Sequence, residues 1–208
     1  SCTGVFAAVT AARMGLTVAL IEAEGSFGGV ATSGLVNIWH SLYDTQRRRR
    51  IIGGLTAETV ERLRKRAAVR EIEPNADVHF YLNTDELKIE LDELVTEAGV
   101  RPFLHARFAA PVMDGESVVA AVLEDKTGRR AVRARYFVDA TGDGDLLVRA
   151  GGAFELRDDP QPPTVCAKIR GIDAIEAADP SFQLGRAAFD PAEPNPLPGG
   201  WLWASRVV

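Results

Sequence analysis

The first residues suited to chemistry stand at the start of the chain, where small side chains open an apolar segment. Ser1-Cys2-Thr3-Gly4 precede a predicted helix, and the strand predicted next ends at Glu22. Small residues at a helix N-terminus let the backbone approach a pyrophosphate, and an acid about 20 residues later accepts hydrogen bonds from a ribose diol. The spacing indicates a dinucleotide site, with Gly4 and Glu22 in those roles. An ordinary α/β unit is the simpler alternative.

A glycine doublet follows the acid. Gly28 and Gly29 lead into Val30-Ala31-Thr32. Paired glycines shortly after a ribose-binding acid allow the chain to pass close to a flat cofactor and its phosphates. A Rossmann domain that binds only NAD does not need this doublet, so its presence favours a flavin over a nicotinamide. A flexible loop is the alternative interpretation.

A third motif, Ala140-Thr141-Gly142-Asp143-Gly144-Asp145, follows an apolar strand. Its glycines permit a tight turn at the carboxyl edge of a sheet, which is where ligands of α/β proteins bind. The carboxylate of Asp143 could accept hydrogen bonds from ribose or ribityl hydroxyls. The alternative is a turn with capping acids. No histidine lies nearby in sequence, so we expect no metal site here.

Hydrophobic periodicity indicates the elements that must position these motifs. Most of residues 25–54 reads as an irregular, glycine-rich loop. The pattern predicts helices over 4–14, over 56–68 and from an N-cap at Asn83 to Gly99, a strand buried on both faces over 17–21, a strand over 100–105, a hairpin of strands 107–113 and 117–124, and a strand over 131–140.

The order of these elements predicts the fold class. A strand before Ser1 would complete a βαβ unit, so we expect an α/β fold with a Rossmann-type parallel sheet and a small antiparallel β-meander. The chain begins with Ser1 rather than Met and enters a helix at once. We therefore expect a fold that is truncated at both ends.

Composition narrows the class of protein. The chain has 208 residues, 46% of them hydrophobic, and a net charge of -5. No apolar run is long enough to span a membrane. The two cysteines, Cys2 and Cys166, match no metal-binding spacing, which favours a reducing, cytoplasmic location. Residues 47–70 carry nine Lys or Arg against two acids. That segment is either a solvated face or an anion-docking site, and nucleic acid is disfavoured because no aromatic residues interleave.

The three motifs, in this order and spacing, resemble the FAD-dependent oxidoreductases of the glutathione-reductase-like structural class. The similarity covers about residues 1–170 and rests on Gly4 to Glu22, on Phe27-Gly28-Gly29-Val30-Ala31-Thr32-Ser33-Gly34-Leu35, and on Ala140 to Asp145. The resemblance implies FAD as the cofactor. The roles it implies are pyrophosphate binding by Ser1, Cys2, Thr3 and Gly4, adenosine-ribose binding by Glu22, contacts with the phosphates, ribityl chain and flavin by Gly28, Gly29, Ala31 and Thr32, a backbone contact with adenine near Phe108, and closure of the adenosine side by Ala140, Thr141, Gly142 and Asp143.

The resemblance also implies a domain plan. We expect an FAD-binding domain over 1–155, with a helical insertion over 54–99 and the β-meander over 106–135. The stretch 156–208 then begins a second, substrate-facing domain and is rich in proline, from Pro160 to Pro198.

The expected function is the transfer of a hydride or electron pair from a small organic substrate, through FAD, to an electron acceptor. His40 follows the glycine loop and is the candidate acid or base, although a lone histidine is more often structural. His79 and His105 carry no functional signal in the sequence. The alternatives are an NAD(P)-binding oxidoreductase without flavin and a non-catalytic binding module.

Overall fold

The fold is described in a computed structural model over residues 1–72, 78–160, 163–197 and 202–208. Pro162 and Pro198 of the proline-rich stretch lie outside these ranges. The chain divides into two compact units, residues 1–164 together with Val208, and residues 165–207. No helix in the described part of the chain has the length and apolarity to cross a membrane.

The first unit contains the sheets and most of the helices. Its elements are α1 (Cys2–Arg13), β1 (Ala19–Ile21), a 3-10 turn (Gly29–Ala31), β2 (Ile38–His40), α2 (Gly54–Lys65), β3 (Val69–Glu71), β4 (Val78–Leu82), α3 (Thr84–Glu97), β5 (Arg101–Phe103), β6 (Arg107–Asp114), β7 (Ser117–Asp125), β8 (Gly128–Arg133) and α4 (Asp145–Arg149). The second unit contains two short helices, α5 (Ile172–Ala178) and α6 (Leu184–Ala188).

The parallel pair β1–β5 confirms the predicted α/β class. Ala19 lies opposite Arg101, and Ile21 lies opposite Phe103. Parallel strands need a long crossover connection, and helices α2 and α3 lie in the segment between these two strands. The strand over 17–21 was expected to be buried on both faces, which is wrong. Within the described residues β1 pairs only with β5, and Ala19 is exposed.

The predicted β-meander is confirmed as the antiparallel sheet β6–β7–β8. Its first hairpin turns at Gly115, which has a φ of +58°. The strand predicted over 131–140 is shorter than expected, because the pairing of β7 with β8 ends where Ala120 faces Arg133. Beyond that point the chain leaves the meander, and Tyr136 is 85% exposed.

A second antiparallel sheet, in the order β2–β4–β3, was not predicted. Its first strand, β2, lies within the glycine-rich stretch 25–54, most of which was expected to be irregular. It also places two strands, β3 and β4, inside the segment 54–99 that was expected to be helical. Strands of three residues such as β2 and β3 are too short to show a period of two.

The core lies where α1, α2 and α3 meet the second antiparallel sheet. Its fully buried side chains include Val9, Val60, Leu63, Leu82, Leu87, Leu91, Leu94 and Val95. The predicted N-cap of α3 is confirmed, since the Asn83 side chain accepts hydrogen bonds from the amides of Asp85 and Glu86 at 3.0 and 3.3 Å. Capping satisfies two amides that have no partner within the helix.

Three of the nine basic residues of the segment 47–70, Arg62, Arg64 and Arg66, form ion pairs with glutamates. Arg62 on α2 pairs with Glu58 at 3.1 Å and also contacts Glu97 of α3. Arg66 lies 2.6 Å from Glu93 and also contacts the buried Glu90. Arg62 of α2 and Arg66, the residue that caps the C-terminus of α2, therefore join this helix to α3. The four arginines over 47–50 lie instead on an exposed turn.

Candidate functional site

The start of α1 is tied to the third motif by a single hydroxyl. Ser1 is the N-cap of α1, and its Oγ accepts a hydrogen bond from the Gly4 amide at 3.2 Å. The same hydroxyl donates to the carbonyl of Ala140 at 3.1 Å. The cap leaves the amides of Cys2 and Thr3 without intrahelical acceptors, and such amides at the start of a 12-residue helix favour an anion.

Gly4 allows the close contact between these two segments. It is buried, and a Cβ placed on it would lie 3.1 Å from the Cβ of Ala140. That separation is tighter than an ordinary contact between side chains, so a larger residue would push residue 140 away from the helix. The start of α1 and the third motif can therefore lie side by side because the residues at their contact, Gly4 and Ala140, are small.

The glycine doublet packs against the same helix start. Gly28 and Gly29 have φ values of +109° and +57°. A Cβ on Gly28 would lie 2.5 Å from Thr32 Cγ2 and 2.9 Å from Leu91 Cδ1, and one on Gly29 would lie 3.3 Å from the Cα of Ser1. Gly28 is thus required by packing inside the fold, whereas Gly29 is required by the approach to Ser1.

Thr32 holds the turn that carries the doublet. It is fully buried, and its hydroxyl donates to the carbonyl of Phe27 at 2.7 Å. Ala31 lies beside it, half-buried in the 3-10 turn. This geometry gives Thr32 a positioning role. The predicted direct contacts of Ala31 and Thr32 with the cofactor stay predictions.

Glu22 follows the last residue of β1, close to the helix start. One carboxylate oxygen, Oε1, accepts from the amide of Glu24 at 3.0 Å. The other, Oε2, lies 3.5 Å from the nitrogen of Ser1, and the side chain is 13% exposed. The carboxylate is therefore held in place beside the predicted phosphate site, which is where a ribose linked to that phosphate would lie.

Asp139 organises the third motif, and sequence reasoning missed this role. Its carboxylate accepts from the amides of Thr141 at 3.1 Å and Leu147 at 3.0 Å, and from the Thr141 hydroxyl at 2.9 Å. Burial acts to raise the pKa of Asp139, but these hydrogen bonds outweigh it and hold the pKa below its ordinary value of 3.8. The available signal was the Asp-x-Thr spacing, which is typical of an Asx turn.

The Thr141 hydroxyl continues this chain of hydrogen bonds by accepting from the amide of Asp145 at 3.0 Å. Gly142 has a φ of +96°, and Asp143 is exposed at the tip of the loop. The hydrogen bonds of Asp139 and Thr141 therefore hold the loop in place, and Asp143 at its tip is exposed to solvent.

Cys2 faces the doublet, with its Sγ 3.8 Å from the carbonyl oxygen of Gly28. Burial raises the pKa of the Cys2 thiol, so the group is neutral at pH 7. A neutral thiol does not repel a phosphate, which is compatible with its predicted place in the pyrophosphate site. Among the described residues, no cluster of His, Cys, Asp and Glu could hold a metal ion.

Two further predicted site residues lie on strands, Phe108 on β6 and His40 at the end of β2. Phe108 is on β6 opposite Leu123, with the Arg149 guanidinium 5.9 Å from its ring centre. The backbone link to Glu22 is made two residues earlier, by the Ala106 amide at 3.0 Å. His40 ends β2 opposite Val78 and is exposed. The roles predicted for these two residues stay predictions.

An α/β fold that gathers an open helix N-terminus, a close-packed glycine doublet and an acid after a strand is a dinucleotide-binding fold. The family model described as FAD dependent oxidoreductase matches residues 1–199. The chain belongs to that family, and its cofactor is FAD. The resemblance seen in the sequence is confirmed, and the interpretation as an NAD(P)-binding protein without flavin is wrong.

Solved structures agree with this fold. The crystal structure of Thermovibrio ammonificans THI4 is 20% identical, with a TM-score of 0.50 over 71% of this chain and 57% of that one. A triple mutant of the flavin-dependent brominase Bmp2 is 18% identical, with a TM-score of 0.51 over 71% of this chain and 38% of that one. The chain thus spans little more than half of the first neighbour and less of the second. A comparison with curated proteins found no match.

The steric argument for Gly29 predicts the effect of a methyl group there. Gly29→Ala should weaken FAD binding by about tenfold or more, because the Cβ would crowd Ser1 at the phosphate site. The matched control is Gly115→Ala, since Gly115 has nearly the same φ, +58°, but open space around it. Each substitution should cost about 1–2 kcal/mol of left-handed backbone strain. Titration with FAD and denaturant unfolding would measure the two effects, and equal FAD affinities in the two variants would contradict the argument.

The hydrogen bonds of Asp139 predict a pH-dependent contribution to stability. Asp139→Asn should lower the free energy of unfolding at pH 7 by about 1–3 kcal/mol. Because the pKa of Asp139 is lowered in the folded state, the stabilisation is present above the ordinary value of 3.8 and is lost as pH falls through the folded pKa.

Thermal unfolding of wild type and variant at several pH values would test this. The difference between them should be largest at neutral pH and should shrink in acid. Asp143→Asn is the control, because Asp143 lies in the same loop but is exposed. We expect its stability without FAD to stay near that of wild type. A difference for Asp139→Asn that does not change with pH would refute the assignment.

Proposed function

We propose that this chain holds FAD in an enzyme that removes a hydride or electron pair from a small organic substrate and passes it to a separate acceptor. The convergence of Gly29 and Ala140 on the Ser1 end of α1, beside Glu22, carries the proposal. FAD supplies the redox chemistry when it is bound, while the protein binds and orients it.

The chain's own residues divide this binding task. The Cys2 and Thr3 amides, at the start of α1, would hold the pyrophosphate, and the Glu22 carboxylate would accept from the ribose hydroxyls. Because Gly29 has no side chain, the turn leaves room for the cofactor to pass over it beside Ser1. Asp143, on the loop fixed by Asp139, would accept a hydrogen bond from a further ribose or ribityl hydroxyl.

The chain covers 57% of the length of THI4 and 38% of the length of the brominase. We therefore propose a substrate and an acceptor only as chemical classes. We assign the FAD-binding domain to residues 1–155 and the start of a substrate-facing domain to residues 156–208. The substrate class in this proposal is a small organic molecule, and nucleic acid is not an expected partner.

The first test is the visible absorption spectrum of the purified full-length protein. We expect the two absorption bands of an oxidised flavin, with FAD released into the supernatant on unfolding, at about one per chain. Anaerobic addition of candidate substrates should bleach the longer-wavelength band, since the electron pair moves to the flavin. A colourless protein that cannot be reconstituted with FAD would overturn the proposal, and bound FAD that no organic reductant bleaches would overturn its catalytic part.

We further propose His40 as the acid or base of substrate oxidation. It follows the glycine loop along the chain and is exposed at the end of β2, at a bulge between Trp39 and His40. A bulge redirects a side chain and is common beside active sites. A histidine is suited to proton transfer near neutral pH.

His40→Gln should slow flavin reduction by substrate by roughly 100- to 10,000-fold, the range for loss of a general acid or base. FAD affinity should stay unchanged. The limb of the wild-type pH–rate profile that reports the histidine should disappear. Stopped-flow reduction of the flavin measures these quantities, with Thr45→Ala, an exposed neighbour, as the control. A His40→Gln variant with the wild-type rate and pH profile would remove His40 from the mechanism.

A further inference from the structure

His105 has a backbone conformation that needs an explanation. Its φ is +52°, in the left-handed region that residues other than glycine rarely adopt. Its imidazole covers Gly25, because a Cβ on Gly25 would lie 2.8 Å from Cε1 and 3.0 Å from Nε2 of the ring. Non-glycine residues persist in this region only where the surrounding structure fixes them, and they cluster at ligand sites.

Three backbone hydrogen bonds fix the segment that carries His105. The Glu22 amide donates to Phe103 at 2.9 Å, the His105 amide donates to Glu24 at 3.1 Å, and the Ala106 amide donates to Glu22 at 3.0 Å. These bonds join the residues after β1 to the end of β5 and to the two residues His105 and Ala106 that follow it. The imidazole is therefore placed at the carboxyl edge of the parallel pair, next to the residues that follow Glu22.

The chemistry of adenosine indicates what lies at this position. In the ribose, C5′ carries the phosphate and C1′ carries the base, on opposite sides of the diol. The phosphate side is set by α1, because Glu22 Oε2 lies 3.5 Å from the Ser1 nitrogen. A diol held by Glu22 would then direct the base away from Ser1, toward Glu24, Gly25 and His105, because the other carboxylate oxygen of Glu22 accepts from the Glu24 amide.

We infer that the imidazole of His105 stacks on the adenine of FAD. The inference rests on the proposed binding of the ribose by Glu22. The residue is exposed, so the ring is accessible to a base. Histidine rings stack on nucleobases as other aromatic side chains do. Gly25 is a positioning residue, because only a residue without a Cβ leaves room for the ring.

The test compares two flavins in the full-length apoprotein. FAD carries the adenosine half and FMN does not. His105→Ala should weaken FAD binding by roughly 5- to 100-fold, the loss expected for one base stack, and should leave FMN binding unchanged. His105→Phe should restore FAD affinity to near the wild-type value. Alanine and phenylalanine share the same backbone strain at this position, so the difference between them isolates the ring.

Leu104→Ala, at the preceding residue, is the matched control and should bind both flavins as wild type does. Equal FAD affinity in His105→Ala and wild type, or an equal loss for FAD and FMN, would overturn the inference. Glu22→Gln separates the two possible failures. If Glu22→Gln weakens FAD binding and His105→Ala does not, only the stacking is wrong. If neither does, or if wild type binds no FAD, the ribose assignment or the cofactor proposal fails and the stacking fails with it.

Discussion

The close packing of three segments at the start of α1 is the constraint on which the rest of the site depends. Three segments that are distant in sequence meet there, and each is small at the contact: Gly4 against Ala140, and Gly29 against Ser1. The Ser1 hydroxyl joins two of them by accepting from Gly4 and donating to Ala140. Added side-chain volume at these points would separate the segments and disperse the groups that are proposed to bind the pyrophosphate and ribose.

This contact is maintained by the core beneath it. Leu91 of α3 packs against Gly28, and Thr32 anchors the same turn through the Phe27 carbonyl. The position of α3 is set in turn by apolar packing with α1 and by ion pairs from Arg62 of α2 and from Arg66, its C-cap. Surface ion pairs contribute little individually, so the apolar packing stabilises the position of α3 more than the ion pairs do. Stability and cofactor binding are thus linked through one helix, although the side chains responsible for each are different.

Sequence reasoning succeeded where the signal is local. The three motifs, the Asn83 cap and the first hairpin each depend on a few adjacent residues. It failed where tertiary contacts decide. Two strands of the β2–β4–β3 sheet, β2 and β3, have only three residues each and show no pattern, and β8 stops pairing at Arg133 although its partner β7 continues to Ser117. The role of Asp139 was missed in part because its hydrogen bond with the Leu147 amide spans eight residues. His105 carried no signal because its place depends on Gly25, which lies far away in sequence.

The arrangement of charges at the site narrows the class of ligand that it can bind more than the fold alone does. The helix N-terminus favours an anion, while the Glu22 carboxylate close to it requires a hydrogen-bond donor without negative charge. The Cys2 thiol between the helix and the doublet is neutral and so adds no repulsion. Inorganic phosphate meets the first requirement alone, and free adenine offers no diol to Glu22. A pyrophosphate joined to a ribose would meet both requirements, and a base on that ribose would extend toward His105. The proposed site would therefore be complementary to a nucleotide in one orientation, with its adenosine end at Glu22 and its remaining half along the Gly28-Gly29 turn.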